Sequence, residues 1–279
     1  MNTAEALAEC EAIVRRFDPD RYFASLFAPA PVRPSIFALY AFNHEVAAIG
    51  ERNREPMMAA IRLQWWRETV GQAREARPRS HPVAIGLAEL FGRAAVPAAS
   101  FDALLDAREF DTAPDTFADA CAFENYCDAT SAGLMRICAS VLGGNAGDEP
   151  FLRSAGIAYA IAGLLRAIPF HAARRKLYLP LDAIAAEGLS PADVLEGRNT
   201  QALKRAVLTL AERAREHMNG AGSRGGGRAA RIAALPAALV PLYLGRMTRG
   251  DFDPLRDSAD LPLFRRQFTL LSAATFARF

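Results

Sequence analysis

Lysine is almost missing from this 279-residue chain. Lys176 and Lys204 are the only two, and arginine supplies the rest of the 33 basic side chains. Against 31 acidic residues the formal net charge is only +2, so no general basic surface points to a nucleic-acid partner. Cysteine is scarce as well. Cys10, Cys121, Cys127 and Cys138 fit no zinc-ligand spacing, and a chain of this length does not need disulfides. They read as reduced, partly buried thiols of a cytosolic protein. Long apolar runs are absent: stretch 154–165 ends at Arg166, and stretch 232–245 contains Pro236 and Pro241. Both fall short of the ~20 apolar residues of a spanning helix. Glu5, Glu9 and Glu11 interrupt the first segment, so no signal peptide is expected. Together these absences predict a soluble, cytoplasmic protein, with peripheral contact at the inner membrane left open.

Runs that alternate apolar and polar residues are also few, which excludes a sheet-dominated fold. What is present is helical periodicity, with 51% hydrophobic residues to build a core. The pattern predicts helices near 3–16, 33–49, 56–77, 81–94, 100–110, 115–142, 149–170, 199–219, 228–247 and 260–275. Asp115 is a candidate cap for the long helix that follows it, and Gly143-Gly144-Asn145 a candidate stop. Ser190-Pro191-Ala192-Asp193 offers a hydroxyl cap, a proline at the first helical position and an acid in the first turn. The glycine-rich stretch 220–228 lacks the Gly-Lys-Ser/Thr ending of a phosphate loop and reads as a flexible connector. With no other polar linker, one all-α domain over 1–279 is expected.

Several short motifs recur in a fixed order. They are Leu26-Phe27-Ala28-Pro29 with Arg33, Phe37-Ala38-Leu39-Tyr40-Ala41-Phe42, Leu63-Gln64-Trp65-Trp66-Arg67-Glu68, and Tyr126-Cys127. The helix from Gly156 onward, Tyr178-Leu179-Pro180 and Leu235-Pro236-Ala237 complete the series. In order and spacing they resemble the squalene/phytoene synthase family. The resemblance implies an isoprenoid-synthase-like helical bundle with a central cavity. It also implies a chemistry in which aspartates on two helices hold magnesium against a prenyl diphosphate. Magnesium takes oxygen ligands and neutralises the departing diphosphate, and carboxylates at i and i+4 share one helix face for that purpose.

The positions that match those aspartates carry something else. Where the first motif would place three, this sequence has Ala47, Ala48 and Glu51; where the second would place two, it has Ala167 and His171. Ala160 and Gly163 replace the second motif's glutamine and asparagine, and His44 replaces an arginine, while Arg166 survives. Alanine and glycine offer no side-chain donor, and imidazole is a poor magnesium ligand. Pro169 should also kink or end the second helix. The run Leu165-Arg166-Ala167-Ile168-Pro169-Phe170-His171, then Arg174-Arg175-Lys176, with Ala41-Phe42-Asn43-His44-Glu45 earlier, resembles a non-catalytic branch of the same family. That branch is associated with assembly of respiratory NADH:quinone oxidoreductase (complex I).

The resemblance therefore implies a pseudoenzyme, with a complex I subunit or assembly factor, or an isoprenoid or quinone-like lipid, as partner, and with no cofactor. The alternative is an active prenyltransferase with magnesium held by relocated acids among Glu45, Glu51, Asp106, Glu109 and Asp111. Cavity or anion-binding candidates are Tyr40, His44, Glu51, Arg166, His171, Arg174, Arg175, Lys176 and Tyr178. His44 and Glu51, seven apart, would share a face on one helix. The basic cluster at 174–176 fits either an anion site or a solvated bend. Of Trp65 and Trp66, one should be core and the other partly exposed.

Overall fold

The computed structural model describes residues 1–52, 55–113 and 115–276, with only the backbone of Phe276. Among the described residues every regular element is a helix. In chain order these are α1 (Thr3–Phe17), α2 (Pro19–Ser25), α3 (Arg33–Ala47), α4 (Ile49–Arg52), α5 (Pro56–Arg74), α6 (Pro82–Arg93) and α7 (Ala98–Arg108). Next come α8 (Ala120–Cys127), α9 (Gly133–Val141), α10 (Glu149–Arg166), α11 (Ile168–Ala173), α12 (Leu181–Ala185) and α13 (Pro191–Leu195). The last four are α14 (Thr200–Arg224), α15 (Arg228–Ala234), α16 (Val240–Met247) and α17 (Leu263–Phe276).

Local chemistry sets many of the boundaries. Asn2 and Glu5 form a reciprocal capping box at the start of α1. Ser190 and Asp193 do the same for α13, as expected from the sequence. Gly143, at φ +77°, follows the end of α9 and permits the left-handed turn that stops it.

Three long helices expected from the periodicity are broken or shifted, and a fourth is extended. The 115–142 element starts only at Ala120, because Asp119, not Asp115, accepts the Ala122 N–H at 2.8 Å. A π-helical turn, Asp128–Ala132, then separates α8 from α9. The 149–170 element ends at Arg166, and Pro169 falls in the first turn of α11, where its missing N–H is harmless. The 228–247 element is interrupted by a 3₁₀ segment, Leu235–Leu239, that contains Pro236. The connector expected at 220–228 is shorter than its composition suggests. Helix α14 runs through Gly220 and Gly222 to Arg224, because Ala221 is fully buried and tertiary packing outweighs the low helix propensity of glycine.

The helices cluster into two compact units, each assembled from three separate stretches of chain. The first comprises Met1–Ala113, Gly133–Leu152 and Gly226–Pro236. Helix α3 is its centre, buried almost continuously from Ser35 to Asn43 and packed on α1, α6, α7 and α9. Phe42 meets Trp66 at 5.4 Å and Phe101 at 5.3 Å in an aromatic core. Trp66 is buried and Trp65 half-buried, the division expected of the pair.

The second unit comprises Pro114–Ala132, Arg153–Gly225 and Ala237–Phe279. Here α14 packs on α12 and α16, and α12 on α8. Gly156 in α10 lies so close to Ala132 that a β-carbon there would collide with the Ala132 backbone.

Candidate functional site

In the first unit the motif positions lie at the end of α3 and in α4. The ladder of α3 closes when the Ala48 N–H donates to the His44 carbonyl at 3.0 Å. Ala47 is the last helical residue, Ala48 is buried, and Glu51 sits exposed on the separate helix α4. The helix ends between His44 and Glu51, so they do not lie on the one helix on which they would share a face. The His44 ring stacks on Phe17 at 4.3 Å, and its Nε2 lies 3.3 Å from Arg52. Burial, the largest influence, lowers its pKa below the ordinary histidine value.

Tyr40 is buried one turn earlier on α3. Its hydroxyl donates to the Cys138 sulfur at 3.4 Å, and the Arg21 guanidinium stands 5.5 Å from its ring. Arg21 is held in turn by Asp18 at 2.7 Å. Burial pushes the Cys138 thiol up to about 11 and raises the Tyr40 phenol well above its usual range.

Four of the five acids proposed as relocated ligands, Glu45, Asp106, Glu109 and Asp111, are engaged by arginines. Arg67 binds Asp106 at 2.5 Å and Glu109 at 2.8 Å. Arg108 binds the buried Asp111 at 3.0 Å and also donates to Asn43 at 3.4 Å. Arg52 pairs with Glu45 at 3.1 Å. A carboxylate held by a guanidinium is poorly placed to serve a divalent cation as well. Among the described residues, no three His, Cys, Asp or Glu side chains gather in a metal-binding group.

In the second unit Gly163, Arg166 and Ala167 lie at the end of α10. A β-carbon on Gly163 would meet open space, so nothing in the packing forces a glycine there. The Arg166 guanidinium stands 4.4 Å from the Tyr243 ring. His171 is carried on α11, beyond the break at Ala167, and its ring packs 4.5 Å from Tyr178. Tyr178 extends that cluster to Tyr126 at 6.0 Å and Phe117 at 6.3 Å. The cavity that Leu164, Ile168, His171 and Tyr178 help to line is only about 10 Å³, room for roughly one water.

The basic run is a tight turn. Lys176 N–H donates to the His171 carbonyl at 3.0 Å, with Arg175 in the left-handed region at φ +57°. Arg174 lies 3.6 Å from the centre of the Phe170 ring. Lys176 Nζ donates to the Asp115 carbonyl at 3.2 Å and sits 5.4 Å from the Tyr178 ring. Sequence reasoning missed Tyr243 beneath Arg166 and the roles of Arg67 and Arg108. Only Arg108 left a signal, the i, i+3 spacing to Asp111.

The squalene/phytoene synthase family model matches residues 14–267. The chain is 29% identical over 272 residues to "NADH dehydrogenase (ubiquinone) complex I, assembly factor 6" of Bos taurus, a match that spans 96% of this chain and 80% of that protein. It is 28% identical over 276 residues to the phytoene synthase of Thermus thermophilus, spanning 96% and 92% of the two. Among solved structures, a dehydrosqualene synthase in complex with ligand matches at a TM-score of 0.84 and 17% identity, over 99% of this chain and 97% of that one. At that identity the likeness speaks to the fold alone.

Proposed function

Since the chain belongs to the squalene/phytoene synthase family, yet lacks most of the carboxylates its chemistry uses, we propose that it is a pseudoenzyme that acts in assembly of respiratory NADH:quinone oxidoreductase (complex I). The observation that carries this reading is the second motif helix. It ends at Arg166, Ala167 offers no side-chain ligand atom, and His171 is packed on Tyr178 beyond the break. Ionising an allylic diphosphate requires cations held at the leaving group, and an alanine side chain and an imidazole packed against Tyr178 do not hold them.

The similarity to assembly factor 6 over nearly the whole chain supports the assembly role. On this reading the protein works without a metal cofactor, binds a complex I subunit or another assembly factor, and uses the inherited scaffold to hold an isoprenoid-like or quinone-like lipid. Deletion in the native organism should lower complex I level and activity while leaving carotenoid and squalene content unchanged. Unchanged complex I would end the assembly reading.

The kinship to a phytoene synthase favours a second reading, an active prenyltransferase with altered metal ligands. Incubation with farnesyl or geranylgeranyl diphosphate and magnesium separates the two. We expect no condensed product. Turnover abolished by Glu51→Ala would establish the second reading instead.

A further inference from the structure

Helix α17 presents two unlike faces. The helix belongs to the second unit; Leu270 and Ala273 are buried, while Phe264, Phe268 and Leu271 are 68%, 72% and 53% exposed. Their spacing of four and then three residues makes one continuous apolar stripe turned away from the body of the unit. Two phenylalanines exposed to this extent on one stripe are unusual for a surface that faces only water. The charged residues of α17 are Arg265 and Arg266, and its sequence contains no acid.

A groove of about 400 Å³ opens at the start of this helix. Its walls include Pro241, Leu242, Leu261, Pro262 and three arginines, Arg246, Arg249 and Arg265. Arg249 is held by Asp251 at 3.1 Å. Among the described residues Arg246 and Arg265 form no direct salt bridge, although Arg246 acts on Asp251 through space and Asp260 also borders the groove. Three guanidinium groups against the single bordering carboxylate of Asp260, beside an exposed aromatic stripe, are complementary to a surface that is apolar below and phosphate-bearing above.

We propose that α17 docks this chain on an anionic lipid bilayer. The Phe264–Phe268–Leu271 stripe enters the boundary between headgroups and acyl chains, and Arg246 and Arg265 meet lipid phosphates at its edge. A helix that lies in the interface in this way needs an apolar face and flanking cations, not the length of a spanning segment. No helix among the described residues is long and apolar enough to cross a membrane, so attachment through α17 is of the peripheral kind. The proposal does not rest on the assembly role, which is tested by complex I level and not by lipid binding.

The test is flotation of the purified full chain with vesicles of phosphatidylcholine alone and of phosphatidylcholine with phosphatidylglycerol. The wild-type chain should float with the anionic vesicles, less with the neutral ones, and less again at high salt. The double variant Phe264→Ser/Phe268→Ser should reduce partition at least tenfold on both vesicle types, because two aromatic anchors are lost. Arg265→Glu should weaken binding several-fold on anionic vesicles alone. All three side chains are largely exposed, so the variants should keep the wild-type circular dichroism, and an altered spectrum would replace them with Phe268→Ser alone. A wild-type chain that does not float, or a double variant that floats undiminished, would overturn the proposal. So would loss, in that variant, of a soluble protein partner in place of lipid binding.

Discussion

At the scale of single residues, burial decides which groups are chemically available. Cys10, Cys127 and Cys138 are buried and Cys121 is exposed. A thiol reagent added to the native protein should therefore titrate one group quickly, and the other three only on unfolding. The buried thiols also link stability to alkaline pH. Burial is the largest cause that raises Cys10 from 9.0 to about 12, as it raises Cys138 to about 11. Between pH 9 and these values the unfolded chain loses the protons while the native one keeps them. The unfolded state then binds fewer protons, and stability falls as pH rises. Their contribution is fully present below pH 9. Urea unfolding followed from pH 8 to 11 should show this decline, and Cys10→Ala should flatten it.

Gly156 makes a second residue-scale prediction. A β-carbon there would collide with the backbone of Ala132, and backbone cannot rotate out of the way as a side-chain tip can. Gly156→Ala should cost ~1–3 kcal/mol in urea unfolding despite alanine's better helix propensity. In contrast, Gly163→Ala, where the added carbon meets open space, should be neutral or stabilising by up to ~1 kcal/mol. The pair separates packing from propensity within one helix. Gly156 was visible in the sequence as the start of a motif, but its reason for being glycine lies in a neighbour 24 positions away.

At the scale of elements, the caps carry the argument. Asn199 opens the 25-residue helix α14 with φ +50°, and its side chain accepts the Ala202 N–H at 3.2 Å. Asparagine tolerates that left-handed backbone better than most residues. Asn199→Ala removes the cap and adds backbone strain, and should cost ~2 kcal/mol; Asn199→Gly loses the cap but relieves the strain, and should cost only a few tenths. Thermal denaturation of the two variants checks the order. Caps of this kind were legible where a short polar residue precedes proline or acid, as at Ser190. The breaks were less so. Pro169 announced the end of α10, but nothing in Asp128–Ala132 distinguishes a π-turn from α-helix, because both present the same apolar pattern over five residues. The extension of α14 through two glycines was hidden for the opposite reason, since its composition argues against a helix that burial of Ala221 enforces.

At the scale of the whole molecule, the helical fold and its family were legible in the order of short motifs. The candidate site was legible only through the resemblance, which implies acids at the positions of Ala47, Ala48 and Ala167. The partners of the remaining acids were not, because Arg67 reaches Asp106 and Glu109 across about 40 positions of chain. The same long-range character governs how the protein must fold. The first unit is completed by Gly133–Leu152 and Gly226–Pro236, far along the chain from its first 113 residues. From those later stretches α9 packs on α3 and α7, and α15 packs on α9 and α2. A fragment that ends at Ala113 would retain α1 to α7 but expose the faces of α3 and α7 that α9 covers, including the surroundings of Tyr40, whose hydroxyl bonds Cys138. Domains are stable by only ~5–15 kcal/mol, and exposing the faces that α9 and α15 cover removes apolar burial from that small margin. We therefore expect fragment 1–113 to lack a cooperative thermal transition and to bind a hydrophobic dye, even if its circular dichroism stays partly helical. Adding back 133–152 and 226–236 through short linkers should restore the transition. A sharp transition in 1–113 alone would mean that α9 and α15 merely decorate a core that α1 to α7 already close.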